Sequence, residues 1–364
     1  MKFTIDQADF IGALGLACGV IAKRNTIPVL ECVLLNATMM GLVISATDQE
    51  NGITYTCEDA ITEDDGTCAI NGAWLKAVVA TLPEGPIECE VEGTRFTMIA
   101  GQRKVQHAIV NAGDFPAIES VTGANIVLTA AHWKGLLDPT VFACSKDPGR
   151  ASLHGVHLEH VRGSLVACGT TGVSLAESRL PYAMKAPPAL IHATAVNAWL
   201  TMLDDVDGTE PVTVTIGDSV AQITVGPAVH TTRLMAFKFP DYASAMPKYN
   251  QPTVKVDTAA LVGSLKGLLA TYEGSGNPVI GLNLSGNVLN LSIKSDLAEA
   301  TDAIAVEYAG HDAETWINPQ SVLDGLAHCG KVAILNLESR PQPLTMKHEG
   351  DAAWFYLSMP IVPA

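Results

Sequence analysis

Phe3-Thr4-Ile5-Asp6 is answered by Ile126-Val127-Leu128-Thr129 and again by Val254-Lys255-Val256-Asp257, and this recurrence decides how the chain is read. Each tetrad is a short alternating strand that ends on a residue whose side-chain oxygen accepts from the first unpaired amides of a helix. Helix-period stretches follow over 7–21, 130–145 and 258–272, with Phe10, Leu14 and Val20, or Leu261, Leu265 and Leu268, on one stripe. The period is roughly 125 residues, long enough for a whole domain rather than a solenoid turn.

Halfway through each period a second opening appears: Cys68-Ala69-Ile70-Asn71, Ala189-Leu190-Ile191-His192 and Thr315-Trp316-Ile317-Asn318, the last followed by Pro319 at the first helical position. Helices are expected over 73–82, 193–205 and 319–329, then alternating strands broken at Gly93, Gly217 and 338–343. One strand, helix and hairpin pattern is therefore written about six times, once every ~60 residues. A chain of 364 residues, 48% hydrophobic and 5% aromatic, fits an α+β protein of three modest domains with aliphatic sheets packed on helices. Proline clusters at Gly113-Asp114-Phe115-Pro116, and from Phe239-Pro240-Asp241-Tyr242 to Pro247 and Pro252, mark linkers. Cuts near Gly123 and Asn250 give expected domains at 1–122, 123–249 and 250–364.

The opening Met1-Lys2-Phe3-Thr4-Ile5-Asp6 turns acidic before any apolar run, and no stretch approaches the ~18 apolar residues of a membrane span, so a soluble, cytoplasmic protein is expected. The eight cysteines are scattered without metal-ligand spacing and read as buried free thiols. A formal charge of −16 argues against ordinary nucleic-acid binding, which draws on cations at phosphates. The cations gather at or beside the expected helices, however: Lys23 and Arg24, Lys76, Lys134, Lys146 with Arg150, and Lys266. The acids crowd 58–65 and 204–207. This pattern reads either as ordinary solvated helix charge or as a mildly basic helical face with an acidic exterior.

An enzymatic reading finds little footing. His154, His157 and His160 suggest metal ligands, but on a strand His154 and His157 face opposite ways, and His154 would lie roughly 20 Å from His160. Nucleophile elbow, phosphate loop, paired zinc ligands and HExxH are all missing from the sequence, and Cys168 reads as a core thiol. No catalytic residue, metal or cofactor is expected. A hydrolase or transferase on a repetitive α+β scaffold, and a purely structural repeat protein, are the competing classes.

Met1-Lys2-Phe3-Thr4-Ile5, the run Lys23-Arg24-Asn25-Thr26-Ile27-Pro28-Val29-Leu30, Ala46-Thr47-Asp48, Gly113-Asp114-Phe115-Pro116, Phe239-Pro240-Asp241-Tyr242 and Met359-Pro360 occur in order along the chain. Together they closely resemble the bacterial DNA polymerase III beta subunit family, the sliding clamps. The resemblance implies three similar DNA-clamp domains, each with two helices and two antiparallel sheets. It implies a head-to-tail homodimer closing as a six-domain ring, with double-stranded DNA threaded through. It also implies a non-catalytic processivity factor that tethers the replicative polymerase subunit, the clamp loader and other proteins with clamp-binding motifs. A ring that closes by a heterologous interface stays on DNA by topology, so weak, sequence-independent phosphate contacts suffice and the acidic total charge is no obstacle.

By family position the DNA contacts implied are Arg24 first, then Lys76, Lys134, Lys266 and the loop from Lys146 to Arg150. The stretch 193–205 adds no lysine or arginine to that lining. The partner-peptide groove implied comprises Leu153, Thr170, Gly172, Val173, Leu175, Pro240, Met246, Asn318, Ser321, Met359 and Pro360. Small and aliphatic residues there would seat apolar anchors, with Thr170 or Asn318 pairing to peptide amides; by periodicity alone Leu153 and Leu175 read as plain core. The chain departs from the family at Val173-Ser174 in place of His-Arg, at Ser244 in place of arginine, at Ser321 in place of tyrosine, and in its tail Ile361-Val362-Pro363-Ala364. A less cationic, more open groove is expected. The implied dimer interface sets Val105 and Gln106, on 104–109, against Ala270 and Thr271. Val105 replaces an aromatic, so a weaker dimer is expected.

Overall fold

The computed structural model describes residues 1–21, 27–247, 252–339 and 341–361. Arg24, the cut at Asn250 and the tail residues Val362, Pro363 and Ala364 lie outside the described residues. Six α-helices occur among the described residues: α1 Gln7–Val20, α2 Gly72–Val79, α3 Ala130–Val141, α4 Ala193–Asp204, α5 Thr258–Ala270 and α6 Pro319–Leu326. A strand, a helix, a group of strands, a second helix and a closing three-stranded meander follow one another three times along the chain.

The expected caps form. Asp6 Oδ1 accepts from the Ala8 amide at 2.9 Å, Asp257 Oδ1 from Ala260 at 2.8 Å, Asn71 Oδ1 from Trp74 at 2.9 Å and Asn318 Oδ1 from Gln320 at 2.9 Å. His192 serves in the same place through its ring, with Nδ1 taking the Thr194 amide at 3.2 Å. Phe10, Leu14 and Val20 of α1, and Leu261, Leu265 and Leu268 of α5, are all buried, so the stripe read from spacing is the buried face. The helix expected over 130–145 ends at Val141. Pro139 has no N–H to give to the Gly135 carbonyl, and the Ser178 hydroxyl donates there instead at 3.0 Å. α2 and α6 stop short of 82 and 329 because their last residues tighten into i→i+3 turns, Leu82 N to Val79 O and Cys329 N to Leu326 O at 3.1 Å each.

The chain forms two compact units, 1–133 with 197–234 and 134–196 with 235–364. The first holds two antiparallel sheets. One runs in the order Ile61–Asp64, Lys2–Asp6, Pro86–Glu92, Arg95–Ala100, Arg103–Ala108. The other runs Ala124–Thr129, Pro211–Ile216, Val220–Val225, Ala228–Arg233, Asn51–Cys57, Gly41–Thr47, Cys32–Thr38, Gly66–Asn71. Strand alternation buries Phe3 and Ile5, and Phe3 meets Phe10 edge-on and Phe96 tilted, each at 6.4 Å between ring centroids.

The second unit repeats the scheme. Its long sheet runs Ala189–His192, Gly155–Val161, Ser164–Thr170, Ser174–Pro181, Asp351–Ser358, Leu344–His348, Val332–Asn336, Val254–Asp257. Its short sheet runs Glu299–Ala305, Val288–Lys294, Ile280–Ser285, Ala313–Ile317. A large aliphatic core joins α5, α6 and the short sheet, and each fully buried leucine or isoleucine in it contributes about 1.5–3 kcal/mol. A second, smaller cluster of Cys168, Leu175, Leu190, Phe239 and Leu357 lies apart from it, with Met235, Tyr242, Met246 and Phe355 packed around. That small cluster underlies the candidate site.

Candidate partner-binding groove

Strands Ser164–Thr170 and Ser174–Pro181 are joined by a turn closed by the backbone bond from the Thr171 amide to Ser174 O at 3.0 Å and braced by its own side chains. Thr170, only 5% exposed, donates from Oγ1 to Ser174 O at 2.6 Å and accepts from the Gly172 amide at 3.0 Å. Gly172 has φ +89, and a Cβ there would meet Arg150 Nη1 at 2.7 Å and Leu153 Cδ1 at 3.5 Å. Val173 stands 58% exposed at the tip. The last strand comes up beside the turn, with Ser358 opposite Ser174, Leu357 opposite Leu175, and the Met359 amide donating to Val173 O at 2.8 Å.

The loop from Lys238 to Met246 covers the same sheet face. Phe239 stacks on the His157 ring at 4.8 Å and 12°, and Tyr242 donates its hydroxyl to Glu159 Oε1 at 3.0 Å. Burial first, then neighbouring Cys168, Glu177 and Glu159, push the Tyr242 phenol well above its ordinary value, so it stays a donor. Burial holds His157 below its usual value against the opposing pull of Glu159. Next along the sheet, Arg179 Nε donates to Glu177 Oε1 at 2.6 Å. Leu175 and Met246 thus share an apolar floor whose far end is polar.

The structure brings most of the sequence-assigned groove residues together. Thr170, Gly172, Val173 and Leu175 share the turn and its strand, and Leu153 flanks Gly172. Met246 packs against the small cluster that includes Leu175, and exposed Pro240 lines the same cavity as Met246. Met359 is 43% exposed, and past Pro360 the Ile361 amide donates to Trp316 O at 2.8 Å, two residues before Asn318. Asn318 caps α6, and its oxygen is occupied by the amides of Gln320 and Ser321. Ser321 Oγ lies 2.7 Å from Tyr356 OH and 3.1 Å from Ser358 Oγ, a network built around a small residue. Ser244 Oγ donates to Asp241 O at 3.0 Å within the loop.

The remaining assigned residues, Arg150 excepted, lie elsewhere. Lys76 is half-buried on α2, Lys134 and Lys266 are on the exposed faces of α3 and α5, and Lys146 is exposed. Arg150 is tied to the groove turn, donating from Nη1 to Thr171 O at 2.9 Å with Asp147 Oδ2 at 3.5 Å from its Nε. Val105 and Gln106 lie on Arg103–Ala108, an edge strand of its sheet. Ala270 ends α5 and Thr271 caps it, both exposed. Of the three histidines, His154 Nε2 meets Asp147 O at 2.6 Å, His160 Nε2 meets Tyr182 O at 2.8 Å and His157 sits under Phe239, so the structure does not bring them together. The cysteines are free, and burial pushes Cys57, Cys68, Cys144 and Cys329 up to about 12.

Sequence reasoning did not single out Glu159, Glu177, Arg179 and Tyr242 as a group. A signal existed in the polar residues at period two in His157, Glu159 and in Glu177, Arg179, where apolar residues are the rule for a covered sheet face.

Three repeats of helix pair and antiparallel sheet, with a small apolar groove at a strand turn, define a protein of the sliding-clamp class. The family pattern for the DNA polymerase III beta subunit, N-terminal domain, matches residues 1–119. The beta sliding clamp of Pseudomonas aeruginosa is 27% identical over 362 residues, covering 96% of each chain. That of Caulobacter vibrioides is 26% identical over 99% of this chain and 100% of its own. The crystal structure of the DNA polymerase III subunit beta from Pseudomonas aeruginosa superposes with a TM-score of 0.93 at 25% identity over the full length of both chains. The DNA polymerase sliding clamp from Bacillus subtilis shares the fold, with a TM-score of 0.95 at 19% identity. Its first 119 residues match the DNA polymerase III beta subunit family and nearly its whole length is similar to the beta sliding clamps, whose role as a non-catalytic processivity factor it shares.

Proposed function

We propose that two copies of this chain, each of three domains cut near Gly123 and Asn250, close head to tail around double-stranded DNA in the cytoplasm. The groove at 153, 170–175, 240–246, 318–321 and 359–360 would take linear segments of the replicative polymerase subunit, the clamp loader and other clamp-binding proteins. The observation that carries the groove reading is the meeting of turn, strand end and loop over one small apolar cluster, with Val173 and Met359 left exposed at its mouth.

Closure is supported by two sheet edges. Arg103–Ala108 ends one sheet and opens with exposed Arg103 and Lys104. Glu299–Ala305 ends another and carries exposed Glu299 and Asp302, with α5 packed on it. Unpaired edges invite pairing, and opposite charge on the two favours a heterologous contact between copies over self-pairing of like edges. Lys76, Lys134, Lys146, Arg150 and Lys266, with Arg24, are proposed to supply a sequence-independent field for phosphate. The test is retention on nicked circular DNA after loading, followed by linearisation. Topological tethering predicts release on cutting; indifference to linearisation would rule it out.

A further inference from the structure

Beside the groove, and sharing Pro240 and Met246 with it, lies a cavity of about 720 Å³ whose inner end is ionic. Glu177 lines it at 3% exposure. Arg179 occupies Oε1, while Oε2 is buried with no hydrogen-bond partner. A buried acceptor left unmet costs about 1–3 kcal/mol, and more when charged, so this oxygen is a standing demand for a donor. Glu159 brings a second carboxylate, its Oε1 taken by Tyr242 and its Oε2 at 3.8 Å from His157 Nε2, beyond hydrogen-bond range.

We propose that this inner end is a subsite for one cationic side chain, lysine or arginine, carried by a partner peptide next to its aliphatic anchors. Two carboxylates there face one guanidinium, because His157 is stacked under Phe239 and kept neutral by burial. One more positive charge balances the pocket and supplies the missing donor. Val161, Phe239 and Met246 line the route and suit the methylene stem of such a side chain. The charges of Arg162, Lys238 and Asp241 are at the exposed rim, where water and salt screen them.

The inference rests on the groove reading, and the experiment separates the two. Short acetylated, amidated peptides with aliphatic and aromatic anchors, carrying lysine scanned through the flanking positions or norleucine in its place, are titrated by calorimetry against the full chain and against Glu177→Gln. At one flanking position lysine should bind about tenfold tighter than norleucine. In Glu177→Gln that ratio should collapse toward one while norleucine-peptide affinity holds. Equal binding of lysine and norleucine peptides at every position overturns the subsite and leaves the groove standing. No binding by any peptide overturns both. The lysine-to-norleucine ratio on the unaltered chain needs no variant, so a folding defect in Glu177→Gln leaves the test intact.

Discussion

The turn at 47–51 in the first unit and the turn at 170–174 in the second are held by the same bonds, yet only one of them borders an apolar groove. Thr47 Oγ1 donates to Asn51 O at 2.7 Å as Thr170 Oγ1 donates to Ser174 O at 2.6 Å. The Gln49 amide donates to Thr47 Oγ1 as the Gly172 amide does to Thr170 Oγ1, both at 3.0 Å. The Arg233 amide donates to Glu50 O at 2.9 Å as that of Met359 does to Val173 O at 2.8 Å. Phe115-Pro116 corresponds to Phe239-Pro240. What differs is the set of side chains on this frame: Gly52 where the groove has Leu175, Thr231 for Leu357, Glu50 for Val173, Arg233 for Met359 and Ile118 for Tyr242. The first corner keeps a cavity of only about 270 Å³, against about 720 Å³ beside the second. The frame therefore belongs to the repeat, and the floor is what sets the second corner apart.

The largest break in that comparison is to give the groove the floor of its counterpart. Leu175 is buried, and Leu175→Gly removes its whole side chain from the small cluster and places glycine in a strand; the expected loss is about 3–5 kcal/mol. Clamp-binding peptide affinity should fall more than tenfold in a protein still folded at low temperature. Calorimetry returning unaltered affinity would detach Leu175 from the groove.

Acid should separate the corners next. His230, on the strand leading to Arg233, accepts the Trp199 indole N–H on Nδ1 at 3.0 Å, and burial pushes its pKa down to about 4. The corresponding residue in the second corner is Tyr356, whose hydroxyl donates to Ser321 O at 2.9 Å above Gly325. Below about pH 6.5 the unfolded chain takes up a proton that folded His230 refuses. Stability is full above that pH, declines as pH falls toward 4 and then levels, a total of about 3 kcal/mol. His230→Asn keeps an acceptor for Trp199 but cannot titrate, so denaturant midpoints between pH 7 and 4 should decline less steeply than in the parent. Parallel decline of the two would refute the assignment.

These corners also show how far the sequence carries. The caps at Asp6, Asn71, Asp257 and Asn318 were legible because a cap is a bond between residues two or three apart, set by local sequence. The helix stripes were legible for the same reason. The groove residues were named only through family resemblance, since alternation gives Leu153 and Leu175 the same pattern as any core leucine. The ionic end of the cavity depends on His157 and Glu177 both standing opposite Cys168 in the sheet, with a loop some sixty residues on laid over them. Register between remote strands is set by tertiary pairing, so the sequence alone did not announce it. The three spaced histidines failed as a group by the same physics: His154 and His160 each bond a different carbonyl, and His157 stacks under Phe239 with its Nδ1 unpaired.

The reverse transplant should cost less. A Cβ on Gly52 would stand 2.8 Å from Thr231 Oγ1 and 2.9 Å from Ile118 Cγ2, so Gly52→Leu overpacks the first corner by about 1–3 kcal/mol. Pairing it with Ile118→Ala, which opens the space, should recover part of the loss in urea midpoints. Strict additivity of the two substitutions would show that Ile118 is not what fills the place of Leu175.

The smallest effect lies in the turn backbones. Gln49 holds φ +77 with a side chain, whereas its counterpart Gly172 at φ +89 has none. Left-handed backbone costs a non-glycine residue about 1–2 kcal/mol, and glycine returns about 0.5–1 kcal/mol of that by loosening the unfolded chain. Gln49→Gly should therefore stabilise by about 0.5 kcal/mol. Gly172→Ala should destabilise by about 1 kcal/mol or more, because the new Cβ also displaces the Arg150 guanidinium from beside the turn. Arg150 then loses its place against Thr171 O, and the groove mouth should loosen, read as faster amide exchange at Val173 and Met359. If exchange at Met359 is unchanged, Arg150 is not what holds the mouth, and the bond from Met359 to Val173 O stands on the sheet register alone.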